Sequence, residues 1–262
     1  MNATRRRSEI LAMIRDAGYV GIDALAARFD VTPQTIRRDV NVLSDDGRLR
    51  RMHGGAAWPD RNIAYGTRQV LNLAAKQSIA RATAALIPDG ASLSLGIGTT
   101  PEQVARVLAE RGAAFTVITN NVAIANLLSD AGQIDITIAG GRLSDRGVVG
   151  EAAERVFSAY RVDFGIAGVG GIDPDGTLLD FTPDEVRARL AISRHCRHRL
   201  LIADASKFGR TASASGGRID DTDTLITDLP PPEPIAAHLD RAGTRVIVAG
   251  EQDRVWQQET GR

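Results

Sequence analysis

The sequence predicts an α/β protein of two domains, a small helical head closed by a β wing and a larger domain built on a mostly parallel sheet. Three observations carry this. Residues 5–45 hold three short runs of helical apolar spacing, and the basic, glycine-closed string LRRMHGGA, Leu49 to Ala56, follows them. From about residue 75, β-rich runs alternate with helical stretches, the pattern of a sheet with helices on its faces. The 262 residues are enough for one large core and one small one.

The first helix is expected over residues 5–17, where Ile10, Met13, Ile14 and Ala17 recur at helical spacing and Gly18 ends the run. A second runs from about Asp23 to Phe29, with Leu25 and Phe29 four apart on its buried side. After a tight connection at Asp30 and Val31, Thr32 and Pro33 open a third. The threonine hydroxyl can accept from free backbone N–H groups, and proline suits the first helical position because its missing N–H is no loss there. With Ile36, Val40 and Leu43 facing inward, Gln34, Thr35, Arg38 and Asn41 face outward and Arg37 lies on the flank. Helix, helix, turn, helix and wing make a winged helix-turn-helix.

That outward row matches the demands of a DNA major groove. Arginine pairs bidentately with guanine, glutamine or asparagine with adenine, and threonine or backbone N–H groups with phosphate. Thr32, Gln34, Thr35, Arg37, Arg38 and Asn41 are therefore the expected DNA-contacting residues, with Arg50, Arg51 and His53 of the wing on the flanking backbone or minor groove. The competing reading is a solvated basic helix whose arginines pair with Asp39, Asp45 or Asp46. The two preceding helices and the wing favour double-stranded DNA. Whole-chain charge decides nothing, since Lys plus Arg and Asp plus Glu both total 32. Residues 1–57 carry ten arginines against seven acids, a net of +3.

The head is assigned to 1–57, a linker to 58–74, where no period is evident, the larger domain to 75–250 and a polar tail to 251–262. Strands are expected at Ser92–Leu95, Phe115–Thr119, Ile134–Ala139, Val162–Ala167, Leu200–Ala203, Thr224–Thr227 and Arg245–Val248. In such sheets ligands gather at the carboxyl ends of the strands.

Three of those ends read as anion-binding. GIGTTPEQ, Gly96 to Gln103, follows a strand and opens a helix, so Gly98, Thr99 and Thr100 offer backbone N–H groups and hydroxyls where the helix dipole favours negative charge. A capping box between Thr100 and Gln103 is the plainer alternative and is compatible with an anion site. TNN, Thr119 to Asn121, ends the next strand, so its amides converge on the same rim, and AGG, Ala139 to Gly141, ends a third and admits close approach of backbone to ligand. Each alone also reads as turn chemistry, and three such ends in succession shift the balance. Lys207, one of two lysines, lies just past the strand that leads to Asp204 and can neutralise a phosphate, or be a solvated loop lysine. Glu185 completes a capping box with Thr182.

Several chemistries are excluded. Cys196 is the only cysteine, which rules out an intrachain disulfide and a cysteine-rich zinc site. His195 and His198 in RHCRHR, Arg194 to Arg199, read as basic residues of a last helical turn, not as metal ligands. P-loop, G-x-G-x-x-G and H-E-x-x-H signatures are absent, and neither metal nor cofactor is expected. Arg5, Arg6 and Arg7 precede an apolar run, Ile10 to Ile14, that Arg15 and Asp16 interrupt, and no stretch approaches the 18 apolar residues of a membrane span. A cytoplasmic protein without a membrane partner is expected.

The pattern from Gly18 through LAARF, VTPQTIRRDV and RMHGGA resembles the DeoR-type helix-turn-helix of bacterial transcription regulators, and the likeness continues to near Leu229. It runs through IGTTPEQVA, TNNVAIAN, VVGEA, VDFGIAGVGGID, DGTLLDFTPDEVR, DASKFGR and TDLPPP. The resemblance implies a Rossmann-like sensor domain, similar in fold to ribose-5-phosphate isomerase and glucosamine-6-phosphate deaminase. It implies an effector site lined by Gly98, Thr99, Thr100, Asn120, Gly141 and Lys207 for a phosphorylated polyol or sugar, with glycerol 3-phosphate the first expectation. It also implies a homo-oligomeric repressor without catalytic activity. One departure stands out. The family carries an acid two residues before the glycine of G-T-T, and here that residue is Gly96. The rival class is a sugar-phosphate isomerase or deaminase with an appended DNA-binding module, for which Asp180 and Glu185 are the remaining candidate bases.

Overall fold

The computed structural model describes residues 2–46, 48–52, 54–58, 65–144 and 146–250, with the backbone of 254–256. His53 of the wing, residues 59–64 of the linker and most of the tail lie outside the described residues. The chain divides into two compact units, Met1–Asn72 and Leu73–Arg262.

The first unit begins with α1 (Ala3–Ala17), whose turn into β1 (Tyr19–Gly21) is made by Gly18 at φ 79°. Then come α2 (Ile22–Phe29), α3 (Pro33–Asp45), β2 (Arg50–Met52) and β3 (Gly55–Ala57). Ile10 and Ile14 of α1, Leu25 of α2 and Ile36, Val40 and Leu43 of α3 form one core, so the inward positions of the three helices meet. The wing is a three-stranded antiparallel sheet in the order β1-β3-β2, and β1 joins it at a place where the residue pattern shows no strand. Its glycines have separate duties. Gly54 turns the chain at φ 78°, while a side chain on Gly55 would stand 2.5 Å from the Tyr19 ring oxygen. Of the stretch 58–74 assigned to a linker, Tyr65–Val70 is helical (α4), and Leu71 packs with Ala57.

The second unit starts with α5 (Leu73–Ala85), which precedes β4 (Ser92–Leu95), α6 (Thr99–Glu110), β5 (Phe115–Thr119), α7 (Val122–Ser129) and β6 (Ile134–Ile138). A short hairpin follows, β7 (Arg142–Ser144) and β8 (Gly147–Val149), and then α8 (Glu151–Ser158) and β9 (Val162–Ala167). Next come β10 (Gly171–Ile172), β11 (Thr177–Asp180), α9 (Pro183–Arg194), β12 (Cys196–Ile202), β13 (Ala214–Arg218), β14 (Thr224–Thr227), α10 (Glu233–Ala242), β15 (Arg245–Val248) and β16 (Arg254–Trp256). The main sheet runs β16-β15-β14-β12-β9-β4-β5-β6, parallel throughout except for β16. Leu93 and Leu95 of β4, with Val117 and Ile166, pack against Ile79, Val104, Leu108 and Ile124 of α5, α6 and α7. The opposite face meets α8 and α9 through Phe157, Ala191 and Ile192, and α10 through Ile235 and Leu239. Burial on both faces explains why these strands read as apolar runs. Strand order reverses between β4 and β9, the kind of switch point at whose carboxyl ends ligands bind in such sheets.

One sequence expectation is corrected. RHCRHR is not a helical turn: α9 ends at Arg194, and β12 begins at Cys196. Cys196 and His198 pair with Val162 and Phe164 of β9, while pairing with β14 starts only at Leu200. This half-paired amino end tolerates charge because Arg197 meets Asp163 at 3.4 Å and Arg199 grips Asp223 through Nε and Nη2. Among the described residues no group of three or more His, Cys, Asp or Glu is placed to hold a metal ion. Among the described residues no helix is long and apolar enough to cross a membrane.

Candidate functional site

The third helix of the head is built as its sequence predicts. Thr32 Oγ1 accepts from the Thr35 amide at 3.3 Å, with Pro33 at the first helical position. Gln34, Arg37, Arg38 and Asn41 are exposed and Thr35 half-buried, so one polar face is presented. The carboxylate that could have silenced its arginines is engaged elsewhere. Asp39, 2% exposed, accepts from Arg6 Nε at 2.5 Å and Arg7 Nε at 2.8 Å, both from α1. Among the described residues no carboxylate pairs with Arg37 or Arg38. In the wing, Arg51 Nη1 donates to Asn41 Oδ1 at 3.1 Å, joining wing and helix. Arg50 points the other way, as strand alternation requires, and its Nη2 lies 3.0 Å from the Met52 sulfur. The two wing arginines therefore do not act as a pair.

In the second unit the glycine loop after β4 forms a cradle of backbone amides, with Thr99 and Thr100 buried. α6 starts at Gly98, whose φ of 133° and ψ of 158° lie in a region that only glycine occupies readily. No side chain caps this helix, so the box expected between Thr100 and Gln103 does not form. The amides of Gly98, Thr99 and Thr100 have no acceptor among the described residues. By contrast, Asn121 plugs the N-terminus of α7, with Oδ1 accepting from the Ala123 and Ile124 amides, and its Nδ2 donates to Gly98 O at 3.3 Å. Thr119 fastens β5 to β4, donating to Leu95 O at 2.7 Å and accepting from the Asn121 amide. These two residues, which the sequence places on the rim as part of TNN without showing their side-chain roles, set the cradle's shape.

The β7–β8 hairpin closes over the same loop. A side chain on Gly147 would stand 2.1 Å from Ile97 Cγ2, and one on Gly141 would meet Val148 Cγ1 at 3.0 Å. Asn120, fully buried, donates from Nδ2 to Val148 O at 2.8 Å, and its Oδ1 has no partner among the described residues. Gly98, Thr99, Thr100, Asn120 and Gly141 thus share one rim. Lys207 lies half-buried in a 3-10 turn after β12, where its charge acts on Asp180.

The two candidate bases have structural work. Asp180 accepts from the Gly170 amide at 3.0 Å and from Arg189 Nε at 2.8 Å. Burial pushes its carboxyl pKa up against the opposing pull of Arg189. Glu185 Oε2 accepts from the Phe181 amide at 3.0 Å, and the Glu185 amide is capped by Thr182.

Residues 6–62 match the DeoR-like helix-turn-helix domain and residues 71–229 the DeoR C-terminal sensor domain. The chain belongs to the DeoR family. It is similar to the glycerol-3-phosphate regulon repressor of Escherichia coli (strain K12), at 42% identity over 88% of this chain and 93% of that protein. The repressor of the same name from Haemophilus influenzae is 41% identical over 97% of this chain and all of its own length. Among solved structures, ribose 5-phosphate isomerase A from Methanocaldococcus jannaschii shows 17% identity and a TM-score of 0.40, over 52% of this chain and 55% of that one.

At Gly96, where the resemblance leads one to expect an acid, a Cβ would meet Ile192 Cδ1 of α9 at 3.1 Å, a tight contact with the flexible end of that side chain.

Proposed function

We propose that this DeoR-family chain is a transcriptional repressor that binds operator DNA through α3 and the wing and releases it when the sensor domain takes up a phosphorylated polyol or sugar, glycerol 3-phosphate foremost. The head of residues 1–57 carries DNA contact through Thr32, Gln34, Thr35, Arg37, Arg38, Asn41, Arg51 and His53, with Arg50 supporting the wing. The domain of residues 75–250 carries the effector site of Gly98, Thr99, Thr100, Asn120, Gly141 and Lys207. The proposed action is binding alone, by a cytoplasmic homo-oligomer with at least two heads, as a two-fold operator requires. The names of the relatives support the effector, and one observation supports its place. The Gly98, Thr99 and Thr100 amides, without an acceptor among the described residues, stand at an α6 N-terminus that has no side-chain cap there, beside the sheet's switch point, where a phosphate gains both hydrogen bonds and the helix dipole.

A thermal-melting screen of phosphorylated metabolites tests this. Glycerol 3-phosphate at about 100 times its dissociation constant should add about 2.7 kcal/mol to the native state. Response to another sugar phosphate alone would replace the effector, and silence from all of them would remove the site. Turnover of ribose 5-phosphate or glucosamine 6-phosphate that disappears on changing Lys207 would contradict binding alone.

A further inference from the structure

We infer that Asn41 and Arg51 form one reading unit that accepts guanine or a phosphate oxygen and rejects the adenine for which a lone asparagine would be suited; this rests on the reading that α3 enters the major groove. The contact is between an exposed wing arginine and an exposed recognition-helix asparagine, Nη1 to Oδ1 at 3.1 Å. A guanidinium has only N–H donors, so the amide atom facing it must be the oxygen, and the orientation of the Asn41 side chain follows from chemistry alone. Asparagine reads adenine by accepting from the N6 amino group while donating to N7. Here its oxygen already serves a cation. The second lone pair stays available by valence, but an N6 amino group brought to it would press its positive edge against the Arg51 guanidinium. What the unit turns outward is the Nδ2 amino group and the remaining guanidinium N–H groups, donors only. Guanine offers two acceptors, O6 and N7, on the same groove edge, and phosphate offers acceptors alone. Arg51 is therefore a specificity-determining residue acting through Asn41.

The test is selection from a randomised duplex library by the full-length wild type, Asn41→Ala and Arg51→Ala proteins, followed by titration of the enriched duplexes. Asn41→Ala should weaken binding about two- to twelvefold, the loss of one hydrogen bond. Arg51→Ala should admit adenine at one position where the wild type excludes it, a gain that a merely structural arginine would not produce. Replacing guanine by 7-deazaguanine at that position, or one phosphate by methylphosphonate, identifies which acceptor is met, since only the true contact abolishes the Asn41→Ala effect. Wild-type enrichment of an adenine whose preference vanishes with Asn41→Ala and survives Arg51→Ala would overturn the inference, as would an Asn41→Ala protein of unchanged affinity. Failure of the wild type to enrich any duplex would overturn the DNA-binding reading itself, and this inference with it.

Discussion

Asp39→Ala should be the most damaging single polar change in the head. The carboxylate is 2% exposed and takes one guanidinium hydrogen bond on each oxygen, from Arg6, whose side chain is 11% exposed, and Arg7, at 33%. Arg7 can turn to water when its partner is removed, so its share is small. Arg6 is left as a nearly buried, unpaired charge, and breaking such a pair costs about 3–5 kcal/mol. A unit spanning Met1–Asn72 has a total stability of roughly 4–11 kcal/mol at typical values per residue. Loss of about 3–4 kcal/mol therefore brings the head close to unfolding, and with a urea slope of roughly 1–1.5 kcal/mol/M the midpoint falls by about 2–4 M. Trp58 packs against the head core, so its fluorescence in a Trp256→Phe background follows this unit. Asp39→Asn, which keeps the shape and one acceptor, should lose about half as much. An unfolding free energy for Asp39→Ala within about 0.5 kcal/mol of the parent would refute the reasoning, because surface substitutions do no more than that.

Gly98→Ala forces a backbone at φ 133° and a Pro101 contact of 3.2 Å, so it should cost about 1–3 kcal/mol and abolish the melting shift given by glycerol 3-phosphate; a retained shift would place the phosphate elsewhere. Gly147→Ala should destabilise the second unit by about 1–3 kcal/mol through overpacking on Ile97, and Ile97→Ala should recover part of that loss, so additive effects would deny the contact. Hydrogen bonds from Arg199 hold the Asp223 carboxyl below the usual carboxylate range. A depressed folded pKa adds stability above the unfolded value of about 3.9, and that stability is lost as pH falls through the folded value. The acid limb of the second unit's stability curve should therefore be steeper in the parent than in Asp223→Asn, and parallel limbs would contradict the assignment.

The parts of the fold legible in the sequence are those whose pattern is local. β4, β5, β9, β14 and β15 are short apolar runs between helical stretches, and Thr32, Pro33 and the inward row of α3 follow from capping chemistry and spacing. What stayed hidden depends on distant partners. The amino end of β12 looked like a helix end because its arginines and histidines gave no apolar signal, and only Asp163 and Asp223, brought alongside by the sheet, neutralise it. Asp39 looked like a surface acid able to pair with its helix neighbours, until α1, more than thirty residues earlier, delivered Arg6 and Arg7 to it. The proposed site reads in the sequence as a set of strand ends. Its uncapped α6, the plug that Asn121 places in α7 and the β7–β8 hairpin over Ile97 are matters of backbone path, which turn-rich strings such as AGGRLSDRGVVGE leave open.

The central claim is that filling the cradle at α6 weakens the grip of α3. Titrating an enriched operator duplex with the full-length protein, with and without saturating glycerol 3-phosphate, tests it most directly. A coupling of about 1–3 kcal/mol predicts an operator affinity lowered by roughly five- to 150-fold. Unchanged affinity, from a protein whose melting shift shows that the ligand is bound, would contradict the claim.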